Sequence, residues 1–281
     1  MSHQFVTPEL RRWILSQAEG GYPVETVLKS MIQAGWDEKV AVEALESTLK
    51  DHLKTQRPDL VPPEQYPEPH MDQWPSRIFA HDREVDVLLS MKLPRVVLFG
   101  NFLSEQECDE LVAMAASRLE RSHTVQTSTG GSELNEARTS EGMFFERGEN
   151  ELCARIEARI AALVRWPVIN GEGLQVLHYG PGAEYQPHYD YFDPKAPGTP
   201  TLVSRGGQRV GTLVMYLNTP TKGGGTSFPD VGVEVAPIKG NAVFFSYLVP
   251  DPATKSLHGG SPVIEGEKWV ATKWMRLGEF R

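Results

Sequence analysis

The feature that most constrains the fold is a succession of short β-type segments in the C-terminal half. After Pro167, short apolar runs alternate with breaks that contain glycine and proline. Many short strands separated by turn signals are typical of an antiparallel sandwich or barrel. The segments that we predict as strands are 174–179, 185–192, 209–218, 231–238, 241–248 and 269–277.

Two amphipathic helices precede these strands. Ser104 and Glu107 have the spacing of a capping box, which predicts a helix that runs to about Leu119. A second helix is predicted from about Glu149 to Val164, where apolar residues recur at helical spacing. Helices followed by a set of strands favour a mainly β fold in which the helices brace one sheet from outside.

Three shorter helical patterns open the chain. Thr7 is placed to cap the first helix, with Pro8 at a position where a missing N–H is harmless. The second helix ends at Gly35, and the third begins near Asp37. We therefore expect a small three-helix unit over residues 1–54. It serves either as an appendage for packing and solubility or as a module that recruits a protein partner.

A proline-rich segment follows the three helices. Six prolines lie between Pro58 and Pro75. Such a density excludes helix and sheet interior and favours an extended, semi-rigid connector. The sequence therefore predicts a linker over residues 55–77 and a main domain over residues 78–281.

Composition narrows the partners and the location of the chain. The net charge of −9 argues against a nucleic-acid partner, which usually requires a basic face. The N-terminus lacks the apolar core of a signal peptide, and no run of about 18 apolar residues is present to span a membrane. We expect a cytoplasmic protein without a membrane partner. Cys108 and Cys153 fall in predicted helices and are expected to be buried, reduced thiols.

Two histidines and one aspartate have the pattern of a metal site. His188 and Asp190 stand two apart in one predicted strand, where alternate residues face the same side. His258 follows another predicted strand and precedes two glycines, so it can return to the same space. Two histidines and a carboxylate on one face of a metal leave positions open, as non-haem ferrous oxygenases require. The His-x-Asp pair alone is weak support, because solvated strand residues are the ordinary alternative.

Lys268 strengthens the metal hypothesis. It stands ten residues after His258, at the start of an apolar predicted strand. A lysine there is costly unless an anion pairs with it, although a strand-end lysine can also extend its ammonium group to solvent. Together, the metal ligands and Lys268 suggest an acidic co-substrate that is held at both ends.

Four segments extend this pattern into a family resemblance. They read YGPGAEYQPHYDYF, GGQRVGTLVMYLN, GGGTSFP and HGGSPVIEGEKWVATKW. Over roughly residues 95–279 the chain resembles the prolyl 4-hydroxylases of the 2-oxoglutarate- and iron-dependent dioxygenases. The resemblance implies a double-stranded β-helix, or jelly roll, with flanking helices.

The resemblance also implies a ligand set. His188, Asp190 and His258 would bind Fe(II), and Lys268 would pair with the distal carboxylate of 2-oxoglutarate. Dioxygen would be the second co-substrate, and ascorbate an accessory reductant. Further residues implied at the site are Tyr179 and Thr226, which would bind the same carboxylate, and Tyr185, Arg209 and Trp274, which would line the pocket and the substrate groove.

Several functions are compatible with this reading. The leading one is hydroxylation of a prolyl residue in a peptide or protein, with release of succinate and carbon dioxide. A second keeps the chemistry but acts on a free amino acid or a small metabolite. A jelly roll used only for binding conflicts with the retained ligands, and a zinc hydrolase gives Lys268 no role.

Two polar segments, 122–137 and 193–208, are expected to be either lids over the substrate or disordered surface loops.

Overall fold

The structure is a computed structural model that describes residues 4–56, 61–121, 123–125, 129, 132–134 and 139–281. The chain divides into a helical unit, Met1–Pro62, and a strand-rich unit, Pro63–Arg281. Within the described ranges, no helix is both long enough and apolar enough to cross a membrane.

The helical unit contains the three predicted helices. The Thr7 side chain accepts a hydrogen bond from the backbone N–H of Leu10 at 3.3 Å, and Pro8 begins the first helix, as expected. Its helices are α1 (Pro8–Glu19), α2 (Val24–Gln33) and α3 (Glu38–Gln56), so the last one continues two residues beyond the predicted boundary at 54. Apolar side chains from all three helices form its core: Ile14, Val27, Met31, Ala41, Ala44 and Leu45.

In its described residues, the strand-rich unit has three α-helices and many short strands. The helices are α4 (Glu105–Ala116), α5 (Glu151–Val164) and α6 (Thr199–Val203). The strands are β1 (Arg77–Ala80), β2 (Arg83–Met91), β3 (Arg95–Gly100), β4 (Glu120–Arg121), β5 (His123–Val125), β6 (Ser132–Leu134), β7 (Glu141–Phe145), β8 (Leu174–Tyr179), β9 (Tyr185–His188), β10 (Arg209–Tyr216), β11 (Lys222–Gly223), β12 (Thr226–Phe228), β13 (Val233–Val235), β14 (Ala242–Ser246), β15 (His258–Gly260), β16 (Val263–Glu265) and β17 (Lys268–Arg276).

Two antiparallel sheets define the fold of this unit. The larger has nine strands in the order β1-β2-β3-β14-β10-β17-β8-β7-β4, and the smaller has four in the order β13-β12-β15-β9. The predicted jelly roll with flanking helices is thereby confirmed. Helices α4 and α5 cover one face of the large sheet, because their buried residues Leu111 and Ile156 share a core cluster with Leu213 of β10. The neighbouring residues of β10, Val214 and Tyr216, belong to a second cluster with residues of the small sheet, such as Phe228.

The capping box at the start of α4 is confirmed. Ser104 accepts a hydrogen bond from the N–H of Glu107, whose carboxylate in turn accepts one from the N–H of Ser104. Cys108 in α4 and Cys153 in α5 are buried free thiols, as expected. Burial raises the pKa of each thiol to about 11, which keeps both protonated and unreactive at neutral pH.

Three strands at one edge of the large sheet were missed by the sequence analysis. Strands β1, β2 and β3 precede α4, whereas we had predicted that the helices come first. The proline-rich segment also extends into this unit. Pro67 and Pro69 are buried, and the carboxylate of Glu68 accepts a hydrogen bond from Arg95 of β3 at 2.9 Å. Residues 67–69 therefore pack against this unit, and the predicted linker lies outside the unit only before Pro63.

Candidate metal and co-substrate site

The two histidines of the predicted metal site are brought together by the small sheet. His188 ends β9 and His258 begins β15, and the two residues are direct partners across the antiparallel pair. The centroids of their rings are 4.5 Å apart. Since directly opposed residues project from the same face of a sheet, the ladder places both imidazoles in one pocket.

Asp190 joins the histidines by a different route from the one predicted. Strand β9 ends at His188, and Asp190 lies in the bend that follows it, so the prediction that both share one strand is wrong. The bend still brings the carboxylate to the imidazoles. Its Oδ1 is 3.5 Å from Nε2 of His188, and its Oδ2 is 3.5 Å from Nε2 of His258. One ligand atom from each of the three side chains lies within 4.8 Å of the others.

Backbone carbonyls orient both imidazole rings. Nδ1 of His188 lies 2.8 Å from the carbonyl oxygen of Gln186, and Nδ1 of His258 lies 2.9 Å from that of Ser256. A carbonyl can only accept, so each Nδ1 carries the proton and each Nε2 carries the lone pair. Such a bond is the usual support of a metal-binding histidine. Both Nε2 atoms are therefore prepared as ligands.

The protonation states also suit a metal ion. Burial lowers the pKa of His258 to about 4, so its imidazole is neutral at physiological pH. Burial of Asp190 opposes its ionisation, but the adjacent His258 and His188 outweigh this effect and leave the pKa of the carboxyl below its usual range. Metal ligands must be deprotonated, and both groups are. Two imidazole nitrogens and one carboxylate form a donor set that fits Fe(II).

Lys268 lines the same pocket as the three ligands. We call the part around Lys268 the co-substrate end and the part around the ligands the metal end. It is the first residue of β17, its side chain is only 4% exposed, and it pairs with Tyr179 of β8. Its Nζ reaches the carbonyl oxygen of Gly225 at 3.5 Å and lies 5.3 Å from the centroid of the Tyr179 ring. Among the described residues, no carboxylate forms an ion pair with it.

The electrostatics of Lys268 point to an anionic ligand. Burial lowers the pKa of its ammonium group to about 8, although the charge of Glu234 partly opposes the shift. A buried cation without a paired anion is costly, and an incoming carboxylate removes that cost. Because the Lys268 ammonium group is buried without a paired carboxylate among the described residues, the pocket fits an anionic co-substrate such as 2-oxoglutarate.

Thr226 presents a second donor beside Lys268. The hydroxyl of Tyr216 donates a hydrogen bond to Oγ1 of Thr226 at 2.8 Å. A hydroxyl has one proton, and Thr226 does not use its own in this bond, so that proton remains available to a ligand. Thr226, Tyr179 and Lys268 all line the pocket, whereas Tyr216 lies behind it and was not predicted.

The predicted substrate residues fall into two groups. Tyr185 and Trp274 line the pocket, and the Tyr185 ring stacks on His188 with centroids 3.7 Å apart. The indole N–H of Trp274 is buried, and no described residue accepts a hydrogen bond from it. Arg209 is not among the lining residues. It lies behind Trp274, 4.1 Å from the ring centroid, and Glu172 holds it through bonds of 2.7 and 2.9 Å.

One proposed lid is an anchored segment. Residues 193–208 contain α6, and the side chain of Gln208 bonds to both the N–H and the carbonyl of Phe192 at 2.8 Å. Arg276 donates to the carbonyls of Leu202 and Gly207. These bonds tie the segment to β17. The other proposed lid, residues 122–137, lies largely outside the described residues.

Two buried residues near the metal ligands were not found by the sequence analysis. Thr212 donates to Oδ2 of Asp190 at 2.7 Å, and its Oγ1 lies 2.8 Å from the hydroxyl of Tyr247. A usable signal existed for Thr212, because a threonine inside the apolar run RVGTLVMY must find a partner. No comparable signal marks Tyr247, since tyrosine is ordinary in a strand.

Comparisons with known proteins agree with this geometry. A family model described as the 2OG-Fe(II) oxygenase superfamily matches residues 174–276. The chain is 39% identical over 228 residues to probable prolyl 4-hydroxylase 4 of Arabidopsis thaliana, covering 73% of this chain and 74% of that one. It is 39% identical over 212 residues to prolyl 4-hydroxylase 2 of the same plant, covering 66% and 69%.

A solved structure is also similar. It is the viral collagen prolyl hydroxylase of Paramecium Bursaria Chlorella virus-1, crystallised with 2-oxoglutarate, which is 31% identical with a TM-score of 0.50 and covers 64% of this chain and 95% of that one. The chain is therefore a 2-oxoglutarate-dependent dioxygenase that belongs to the prolyl 4-hydroxylase family of the 2-oxoglutarate/Fe(II) oxygenases.

Proposed function

We propose that this enzyme hydroxylates a prolyl residue within a peptide or protein and releases succinate and carbon dioxide from 2-oxoglutarate. The observation that carries the proposal is one pocket lined both by the ligands His188, Asp190 and His258 and by Lys268, which has no paired carboxylate among the described residues. The relatives named prolyl 4-hydroxylases support the choice of proline.

Different residues of the pocket would bind the co-substrate and exclude water. Lys268 would neutralise the distal carboxylate of 2-oxoglutarate, and Thr226 would donate a hydrogen bond to it. Bound Fe(II) would supply the activation of dioxygen, which no side chain provides. The apolar side chains of Leu177, Val214 and Val270 line the same pocket and limit the access of water.

The charged side chains that line the pocket favour a peptidyl proline over a free amino acid as the substrate. Among the described residues that line it, Asp190 is the one carboxyl group and Lys268 the one amine. The metal and the co-substrate would use both. A free amino acid would bring a buried ammonium and a carboxylate without partners, which is costly. A prolyl residue within a peptide, in contrast, would bring neither charge into the pocket.

Turnover of defined peptides tests the proposal. The purified protein is incubated with Fe(II), 2-oxoglutarate, ascorbate and a panel of proline-containing peptides, and succinate and peptide mass are measured. We expect a gain of one oxygen atom on a proline, and no gain when that proline is replaced by alanine. Succinate release that depends on free proline but on none of the peptides would favour the small-metabolite alternative.

We further propose that the helical unit recruits a protein partner. Every residue with a proposed chemical role lies in the strand-rich unit, and the helical unit exposes the apolar side chains of Phe5, Tyr22, Val24 and Ile32. A chain that begins at Pro63 is expected to hydroxylate a short peptide as fast as the full chain does. Slower turnover of that peptide would assign the helices to the catalytic machinery. A chain that begins at residue 76 lacks Glu68 and the buried prolines and is expected to be less stable.

A further inference from the structure

A chain of buried hydroxyl groups leads from the core to the metal-binding carboxylate. The Thr212 hydroxyl donates to Oδ2 of Asp190 at 2.7 Å, and the Tyr247 hydroxyl lies 2.8 Å from Oγ1 of Thr212. Thr212 and Tyr247 are each 1% exposed and Asp190 is 6% exposed. This burial limits the competition of solvent for these bonds, so the hydroxyl groups depend on one another for partners.

The direction of the bonds follows from the number of protons. The ionised carboxylate of Asp190 can only accept, so the single hydroxyl proton of Thr212 points toward it. The contact between Thr212 and Tyr247 must then use the proton of Tyr247. The bonds therefore run from Tyr247 to Thr212 to Asp190, and each polarises the next.

The position of Asp190 in the chain explains why such support is needed. His188 and His258 are fixed by strand pairing, since they are direct partners across β9 and β15. Asp190 lies in the bend after β9, outside the ladder. Among the described residues, Thr212 is the one hydroxyl that donates a hydrogen bond to its carboxylate.

We propose that Tyr247 and Thr212 are positioning residues that hold the Asp190 carboxylate in the orientation required for metal binding. Thr212 occupies Oδ2, and Oδ1 faces Nε2 of His188 at 3.5 Å. Strand β10 supplies Thr212 and its neighbour β14 leads directly into Tyr247. The large sheet thus fixes the one ligand that the small sheet leaves outside its ladder. The proposal rests on metal binding by the three ligands and is independent of the substrate.

Metal affinity without turnover tests the relay. Metal-free protein is titrated with Mn(II) or Co(II) in the absence of 2-oxoglutarate, and the dissociation constant is measured. We expect Thr212→Val to weaken binding by about 10- to 100-fold, the usual effect of losing a residue that supports a metal ligand. Tyr247→Phe should weaken it less, because Thr212 keeps its bond to Asp190. Thr212→Ser retains the hydroxyl and should bind metal nearly as well as the unaltered protein.

A double variant separates a relay from two independent effects. If Tyr247 acts through Thr212, adding Tyr247→Phe to Thr212→Val should change the dissociation constant by less than about twofold. Tyr191→Phe is the matched control, since Tyr191 is buried beside Tyr247, with ring centroids 6.1 Å apart, and its metal affinity should not change. Melting temperatures of the metal-free proteins report any loss of folding.

Two results would overturn the proposal. One is unchanged metal affinity in a folded Thr212→Val protein or, if that variant does not fold, in Tyr247→Phe. The other is an effect of Tyr247→Phe that persists in full in the double variant. A His188→Ala protein with unchanged metal affinity would instead show that the premise, metal binding by these ligands, is wrong.

Discussion

The two ends of the pocket differ in how completely the protein has satisfied their polar groups. At the metal end, carbonyls of Gln186 and Ser256 fix both imidazoles, and Thr212 fixes the carboxylate. At the other end, Lys268 is buried with one long contact to a carbonyl and, within the described part of the chain, forms no ion pair. The metal end is prepared in advance, whereas the co-substrate end keeps an uncompensated charge.

This difference has a physical reason. A metal ion needs several ligands at fixed positions, so their orientation must be determined by the fold. A carboxylate needs an opposite charge, and a permanent protein anion beside Lys268 would compete with it. Leaving the lysine unpaired costs folding free energy, which the binding of 2-oxoglutarate then restores. Burial lowers the pKa of Lys268 to about 8, and this shift reflects the cost of burying its charge.

The largest expected effect is at the metal end. His258→Ala or His188→Ala removes one of three protein ligands, so metal binding should weaken sharply and turnover should be abolished. Affinity for 2-oxoglutarate should fall as well, because we expect the co-substrate to be held at both ends, at the metal and at Lys268. Metal affinity by calorimetry and succinate release measure these outcomes. A histidine variant with near-normal turnover would remove that residue from the ligand set.

Lys268→Ala should weaken the binding of 2-oxoglutarate much more than the binding of the metal. Removal of a buried charged partner costs about 3–5 kcal/mol, which weakens 2-oxoglutarate on the order of a hundredfold or more. Metal affinity measured without 2-oxoglutarate should stay within about twofold, since Lys268 is not a ligand and supports none. Lys268→Arg should rescue poorly, because a planar fork does not fill an ammonium site. Equal losses of metal and 2-oxoglutarate affinity would contradict the claim that Lys268 binds the co-substrate and does not support the metal.

A smaller effect is expected at Thr226. Thr226→Val removes one hydrogen bond to a charged group, which contributes about 1.5–3 kcal/mol, so the KM for 2-oxoglutarate should rise about 10- to 150-fold. Ser227→Ala is the matched control, because Ser227 is the next residue on β12 and does not line the pocket. Similar KM values in the two variants would show that Thr226 does not bind the co-substrate.

Many residues of this pocket could be predicted from the sequence, because patterns in the sequence marked them. Strand alternation and the spacing of His188, His258 and Lys268 indicated a metal and an acidic ligand. The bend at Asp190 could not be predicted, since the apolar pattern continues through Tyr191 and Phe192, whose burial comes from tertiary contacts.

Other features were hidden for the same reason. Strand β2 carries charged residues and lacks a regular alternation, and its place in the sheet depends on pairing with β3. The Tyr247 hydroxyl finds its partner 35 positions away in sequence. Arg209 was expected to line the groove, but its buried partner Glu172 lies 37 positions away and holds it behind Trp274. Such pairings arise only when the sheets form.

Proton uptake on binding 2-oxoglutarate tests the unpaired charge of Lys268 most directly. It is measured by calorimetry of the metal-loaded protein in buffers of different ionisation enthalpy. Because the pKa of free Lys268 is about 8, the amine is mostly neutral at pH 9, and the bound carboxylate should restore its proton. We predict uptake close to one proton at pH 9 and close to none at pH 7, with weaker binding as pH rises above 8. Lys268→Ala should abolish the difference. Equal uptake at both pH values in the unaltered protein would contradict the account.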